Sequence, residues 1–190
     1  MTTGLKHKLE YDDLAAAPND GQRYELMEGE LYVTPAPSPL HQRTSKRLQR
    51  MLEVYFEVRG VGEVFNAPVD VILSRWDVVE PDLVVVDNPA QISRRAIEGP
   101  PLLMIEILSP STIDMDREIK AKRYAAFGIT HYWIVDIDAR AIECYRLEDQ
   151  TYQLLQRVER SSAFSHPDWP DLAVDTAALW SGADDISTGS

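Results

Sequence analysis

The sequence predicts an α/β chain of the α+β kind, a mixed sheet flanked by helices. Three observations predict it. Short runs rich in β-branched and aromatic residues alternate with two segments of helical periodicity. Gly, Pro and Asn punctuate the boundaries between them. Hydrophobic residues make up 44% and charged residues 26%, the balance of a globular protein able to fill a core. With 190 residues, a single domain is expected over 1–180, with its core at about 39–147. The small, polar stretch 181–190 is expected to be a disordered tail.

The elements follow in order. Tyr11 to Ala17 reads as a short helix stopped by Pro18, with a turn at Asn19-Asp20-Gly21. Arg23–Met27 and Glu30–Thr34 flank Glu28-Gly29, a hairpin signal, so a helix and hairpin extend the N-terminus. Pro35-Ala-Pro-Ser-Pro39 cannot be regular structure, because proline fixes φ and removes donors. His41 to Val58 is the clearest helix: Leu48, Met51, Leu52, Tyr55 and Val58 recur at helical spacing, and Gly60 and Gly62 end it. Glu63–Asn66, Pro68–Leu73, Val78–Val86 and Leu102–Leu108 are β-rich. Ser111-Thr112 is placed to cap a second helix, Met115 to Phe127, closed by Gly128. His131–Asp136 reads as a buried strand, and Ala141–Leu147 with Thr151–Val158 as a C-terminal hairpin. His166-Pro-Asp-Trp-Pro-Asp-Leu172 reads as a strap over the core.

Composition narrows function. A formal net charge of −12 argues against a large nonspecific grip on nucleic acid. Cations are clustered, however, in His41–Arg50 and in Arg117–Arg123, so a polyanion would be met locally. Cys144 is the one cysteine and excludes an intramolecular disulfide; in a strand-like run it reads as a buried, inert thiol. No run approaches the roughly 18 apolar residues that span a bilayer, and the polar start carries no signal-peptide core. A cytoplasmic protein without membrane contact is expected.

Two carboxylates stand out. Asp82, in Glu80-Pro-Asp-Leu-Val-Val-Val86, opens an otherwise apolar strand, and Glu106 lies inside Leu102-Leu-Met-Ile-Glu-Ile-Leu108. Ionised carboxylates in buried strands are costly unless a cation or metal accompanies them. If the strands are neighbours, the two acids converge and call for a divalent ion. Oxygen ligands suit Mg²⁺ or Mn²⁺ rather than zinc. The alternative is that each acid caps a strand end or pairs with an arginine such as Arg75 or Arg94.

Pro81-Asp82 followed by Glu106 resembles the PD-(D/E)XK nuclease signature. More specifically, the chain resembles a large bacterial family of restriction-endonuclease-like proteins, formerly a domain of unknown function. The matching pieces, in order, are Tyr24–Glu30, Pro37–His41, Ala67–Val71, Pro81–Leu83, Glu106–Thr112, Lys120 with Tyr124, and Tyr132–Asp136. The resemblance implies a restriction-endonuclease-like core and a Mg²⁺-dependent DNA endonuclease, with Asp82 and Glu106 holding the metal. The wider superfamily carries a lysine two positions after the second acid, where this chain has Leu108. The family implies a lysine on the following helix instead, with Lys120 and Lys122 as candidates. At about 100° per residue, Lys120 falls between Phe127 and Tyr124, on the side expected to face the sheet, and is preferred.

Glu28 in the hairpin turn and Asp70 in an apolar strand are weaker candidates to complete the site. His41 is a candidate for contacting a phosphate or a water of the site, since imidazole titrates near neutrality. Arg43, Lys46, Arg47 and Arg50 are a candidate track for the DNA backbone, or a solvated face. A homodimer is an expectation too, because cutting both strands calls for two sites. The competing reading is an inactive nucleic-acid-binding or interaction module on the same fold. A hydrolase of small phosphates ranks last, for want of a Gly-rich phosphate loop.

Overall fold

The structure, a computed structural model, describes residues 7–14, 16–18, 20–159 and 163–182. Helix α1 (Tyr11–Leu14) precedes β1 (Arg23–Met27) and β2 (Glu30–Thr34). Glu28 (φ 57°) and Gly29 (φ 78°) close that hairpin in the left-handed region, as a two-residue turn between twisted strands requires. Helix α2 (Pro39–Phe56) starts where Ser38 accepts a bond from the His41 amide at 3.2 Å and Pro39 lends its fixed φ to the first turn. Then come β3 (Glu63–Asn66), β4 (Val71–Ser74), β5 (Asp77–Val79), β6 (Leu83–Val86), β7 (Ile97–Glu98) and β8 (Leu103–Ile107). A π-helical segment, Met115–Lys120, runs into α3 (Ala121–Ala126). Strands β9 (His131–Asp136), β10 (Ala141–Glu148) and β11 (Thr151–Glu159) follow. Strands β12 (Ala163–His166) and β13 (Trp169–Asp175) and helix α4 (Thr176–Trp180) end the described chain.

Where one mixed sheet was expected, the chain builds two sheets and a separate hairpin. The larger sheet has the order β11-β10-β9-β8-β6-β3, with β8 and β9 parallel and the other neighbours antiparallel. The smaller has the order β2-β1-β5-β4-β7. The run Val78–Val86 is divided at Glu80-Pro81-Asp82. Asp77–Val79 pairs with β1 and β4, while Leu83–Val86 pairs with β3 and β8. Pro81 has no amide to give a ladder, so the chain changes sheet there, immediately before Asp82. The N-terminal hairpin, read as an extension, consequently supplies two of the five strands of the smaller sheet.

Alternation along β8 sets the two faces of the larger sheet. Leu103, Ile105 and Ile107 pack with Leu48, Leu52 and Phe56 of α2 and with Trp133 and Val135. Met104 packs on the opposite face with Tyr124, Tyr132 and Ile134, the face to which Glu106 also turns. Helix α2 ends at Phe56, short of the expected Val58, which is 81% exposed. The expected strap is a hairpin and helix whose Phe164, Leu172, Val174, Leu179 and Trp180 join the α2-side core. Ser181 and Gly182 form a turn, and the remainder of the expected tail lies outside the described residues, as do Ala15 and Asn19 of the N-terminal readings. No helix among the described residues is long and apolar enough to cross a membrane.

Candidate active site

Strands β6 and β8 are antiparallel neighbours with Leu83 opposite Ile105, so Asp82 and Glu106 meet across the ladder. Asp82 Oδ2 accepts the Ile107 amide at 2.8 Å, and Oδ1 accepts Arg23 Nη1 at 2.7 Å. His41, buried in the first turn of α2, places Nε2 at 3.1 Å from Asp82 Oδ2 and 3.0 Å from the Ile107 carbonyl. Burial opposes the Asp82 charge, but His41, Arg23 and the Ile107 amide outweigh it and hold the carboxyl below its usual range.

Glu106 has the opposite environment. Its Oε1 accepts Lys120 Nζ at 3.0 Å and the Tyr124 hydroxyl at 2.7 Å. Burial pushes its carboxyl up to about 8; Lys120 counters, while the charges of Asp116, Asp82 and Glu25 add to the rise. Lys120 is only 3% exposed and also lies 2.9 Å from Glu25 Oε1 and 3.7 Å from Asp116 Oδ1. Burial disfavours its charge, yet Glu106, Glu25 and Asp116 together raise its pKa well above that of an ordinary lysine. It therefore stays an ammonium group, a donor and not a base. Lys120 ends the π-helical segment, a wide turn of the kind that recurs at functional sites, where an uninterrupted α-helix was expected.

Four buried carboxylates, Glu25, Asp82, Glu106 and Asp116, thus converge on two cations, Arg23 and Lys120. They line a cleft of about 190 Å³ between the Thr34–Ser38 segment and the Ser109–Thr112 loop. Through Arg23, His41 and Asp82 it continues into a groove along Gln42, Ser45, Lys46 and Gln49 of α2.

The structure brings Asp82, Glu106, Lys120 and His41 together, and it separates the other candidates from them. Lys122 lines a different cavity with Arg117, Tyr145 and Tyr152. Glu28 is an exposed turn residue bonded to Arg123 at 2.7 Å and does not line the cleft. Asp70 precedes β4 instead of lying within a strand, and its Oδ2 takes the Tyr11 hydroxyl at 3.0 Å. The basic helix face divides as well. Arg43 donates to the Gly182 carbonyl at 3.0 Å, and Arg47 to the Leu179 and Ser181 carbonyls at 3.1 and 2.5 Å. Arg50 lines a hollow with Arg47, Met51 and Ala178. Lys46 alone of the four faces the groove beside Asp82. The reason is rotational: the α2 stripe His41, Thr44, Leu48, Leu52, Phe56 faces the core and turns Arg43 and Arg47 toward the C-terminal turn.

Sequence reading missed Arg23, Glu25 and Asp116. A signal was present for two of them: Arg23 and Glu25 are two apart in a strand, and so share one face. Two charges on the strand face that the buried Met27 continues point to a paired site.

These two sheets, with an acid pair at adjacent strands of one and a lysine behind it, define a restriction-endonuclease-like α+β protein. The chain belongs to the Uma2 family, described as "Putative restriction endonuclease", whose profile matches residues 9–177. An uncharacterized protein of Synechocystis sp. (strain ATCC 27184 / PCC 6803 / Kazusa) is 26% identical over 149 residues, 74% of this chain and 78% of that protein. The fold is also that of a crystal structure from Anabaena variabilis ATCC 29413, described as a putative nuclease belonging to DUF820. That likeness has a TM-score of 0.73 at 18% identity and covers 91% of this chain and 98% of the other.

Proposed function

We propose that this protein is a divalent-metal-dependent endonuclease that hydrolyses phosphodiester bonds in DNA, with Asp82, Glu106 and Lys120 at its centre. The observation that carries the reading is the convergence of Asp82 and Glu106 from adjacent strands, with the Lys120 ammonium 3.0 Å from Glu106. The donor set fits Mg²⁺ or Mn²⁺: carboxylate and carbonyl oxygens predominate, and the buried acids outnumber the permanent cations around them. Asp82, Glu106 and the Ile107 carbonyl would hold the ion. Bound there, it supplies Lewis acidity toward a phosphoryl oxygen and acidifies water.

The chain's own groups do the rest. Lys120, locked as an ammonium group, stabilises charge developing on the phosphoryl group and orients water. Tyr124 and Arg23 fix the two carboxylates in place. His41 fastens Asp82 and the Ile107 carbonyl to the start of α2. Lys46, with Gln42, Ser45 and Gln49, receives the backbone of the substrate in the adjoining groove. Duplex cutting from such a site calls for two copies, so a homodimer in the cytoplasm is part of the proposal.

The second reading, a non-catalytic module, draws on one observation. Lys120, Glu106, Glu25 and Tyr124 satisfy one another in the free protein, as a purely structural network does. Calorimetric titration with Mg²⁺ and Mn²⁺ on wild type and Asp82→Ala, with plasmid cleavage on the same samples, separates the two. The nuclease reading expects one metal-dependent cleavage activity, lost together with metal binding in the variant. Wild-type protein that neither binds metal nor cuts DNA would leave the module.

A further inference from the structure

On the far side of the larger sheet from the acid cluster, two more histidines come together. His131 opens β9, His166 ends β12, and Asp168 sits in the turn into β13. Their separation in sequence hides them as a group. In space, one ring nitrogen of each histidine and a carboxylate oxygen of Asp168 all lie within 4.8 Å of one another. Both imidazoles are buried, His131 at 5% and His166 at 0% exposure. Trp169 packs on both rings, at centroid distances of 4.3 and 4.4 Å.

One ring nitrogen of each histidine lacks a partner. His131 Nδ1 and His166 Nε2 are buried and make no hydrogen bond, a state that costs free energy in a packed interior. Asp168 Oδ2 is 3.9 Å from His131 Nδ1, beyond hydrogen-bond length, while its Oδ1 is held by Arg146 Nη1 at 2.8 Å. Burial lowers both imidazoles to about 4, so both are neutral, the form that ligates metals. The carboxylate is oriented by Arg146, as ligating carboxylates are by their outer partners.

We propose that His131, His166 and Asp168 form a second metal site, for a zinc-class transition ion, that clamps the β12–β13 hairpin onto β9. Two imidazoles and one carboxylate are the borderline N/O set that Zn²⁺ prefers and Mg²⁺ does not, with water in the fourth position. Bonds of about 2.0 Å set tetrahedral ligands roughly 3.3 Å apart. Bringing ligand atoms that lie within 4.8 Å of one another to that spacing therefore asks for a movement of Asp168, which lies at the surface. Coordination through His166 Nε2 puts the ring proton on Nδ1 and gives up the bond that Nδ1 accepts from the Asp168 amide at 3.1 Å, a cost that the metal bonds must exceed. The site is independent of the nuclease reading: it uses other residues, a different class of ion and a different part of the fold.

The test is a Co²⁺ titration of metal-stripped full-length protein in excess Mg²⁺, read by visible absorption. Co²⁺ in a tetrahedral N/O site gives strong d–d bands that Zn²⁺ abolishes on displacing it. The proposal expects one equivalent bound with such bands, unchanged in Asp82→Ala. It expects affinity lowered at least about tenfold in Asp168→Asn and bands lost in His131→Gln. Zn²⁺ should raise the wild-type Tm by about 5 °C and leave that of Asp168→Asn unmoved. Asp168 is at the surface, so its variant keeps the test open even if the histidine variants do not fold. Absence of tetrahedral bands in wild type, or bands that vanish in Asp82→Ala yet survive Asp168→Asn, would overturn the site.

Discussion

Lys120 shows how one side chain joins stability to chemistry. Its ammonium group faces Glu106 at 3.0 Å, Glu25 at 2.9 Å and Asp116 at 3.7 Å, all inside the protein. Removing one partner of a buried ion cluster leaves uncompensated charge, which typically costs about 3–5 kcal/mol. Lys120→Met should therefore destabilise the metal-free protein by about 3 kcal/mol at pH 8. The pH dependence of that loss has a definite sign. Glu106 and Asp116 have folded pKa values raised to about 8 and about 6, above their unfolded values, and losing the ammonium group raises them further. Groups with raised folded values take up protons on folding, so the variant regains stability as pH falls from about 8 toward 4.5. Urea midpoints of the two proteins at pH 8 and pH 5 should differ more at pH 8; a gap that widens at pH 5 would contradict this account. Cys144 gives a simpler prediction. Burial drives its thiol upward, so a disulfide reagent at pH 8 should leave the native protein unlabelled and modify one thiol once it is denatured.

Helix α2 divides its cations between two tasks, and substitution should tell them apart. Arg47 holds the Leu179 and Ser181 carbonyls, whereas Lys46 faces the groove beside Asp82. Arg47→Ala should cost about 1–3 kcal/mol and speed amide exchange in α4, leaving KM for DNA unchanged. Lys46→Ala should raise KM and leave exchange in α4 unaltered. If Arg47→Ala raises KM instead, the basic face is one continuous track after all. The two elements also show what the sequence makes legible. The α2 stripe and the hairpins could be read because each is local: a 3.6 period, a Glu-Gly turn, alternating strand faces. Asp82 and Glu106 stood out because a carboxylate within an apolar run is locally anomalous. Glu25 was legible only in part: the face it shares with Arg23 is local, but its place beside Lys120 depends on β1 pairing with β5, a contact between segments about fifty residues apart. The π-helical turn that delivers Lys120 likewise depends on packing and not on local pattern. Glu28 drew attention as a turn acid, but it is exposed, bonded to Arg123, and outside the cleft that Glu25 lines.

At the scale of the molecule, the decisive quantity is a net charge of −12 on a chain proposed to bind a polyanion. The permanent cations nearest the acid pair are already spoken for: Arg23 lies against Asp82 and Glu80, and Lys120 against Glu106 and Glu25. Arg43 and Arg47 are turned to backbone carbonyls at the C-terminal end. Lys46 remains at the groove. Each phosphate neutralised by a protein cation releases counterions and adds about 0.9 to the slope of log affinity against log salt. A protein gripping DNA through many cations shows a slope near 6–10, and this one should show about 1–3. Long-range repulsion from the acidic surface acts in the opposite sense at low salt, where the Debye length grows, and flattens the slope further. Affinity should instead depend strongly on the divalent ion, which supplies the positive charge at the site itself. The measurement is DNA affinity by fluorescence anisotropy from 50 to 300 mM KCl, on Glu106→Gln with and without Mn²⁺ beside wild type held with Ca²⁺. A shallow slope with binding that collapses when the metal is removed from wild type would place the grip at the acid pair. A slope near 6–10 that ignores the metal would mean that a basic surface beyond this cleft holds the substrate.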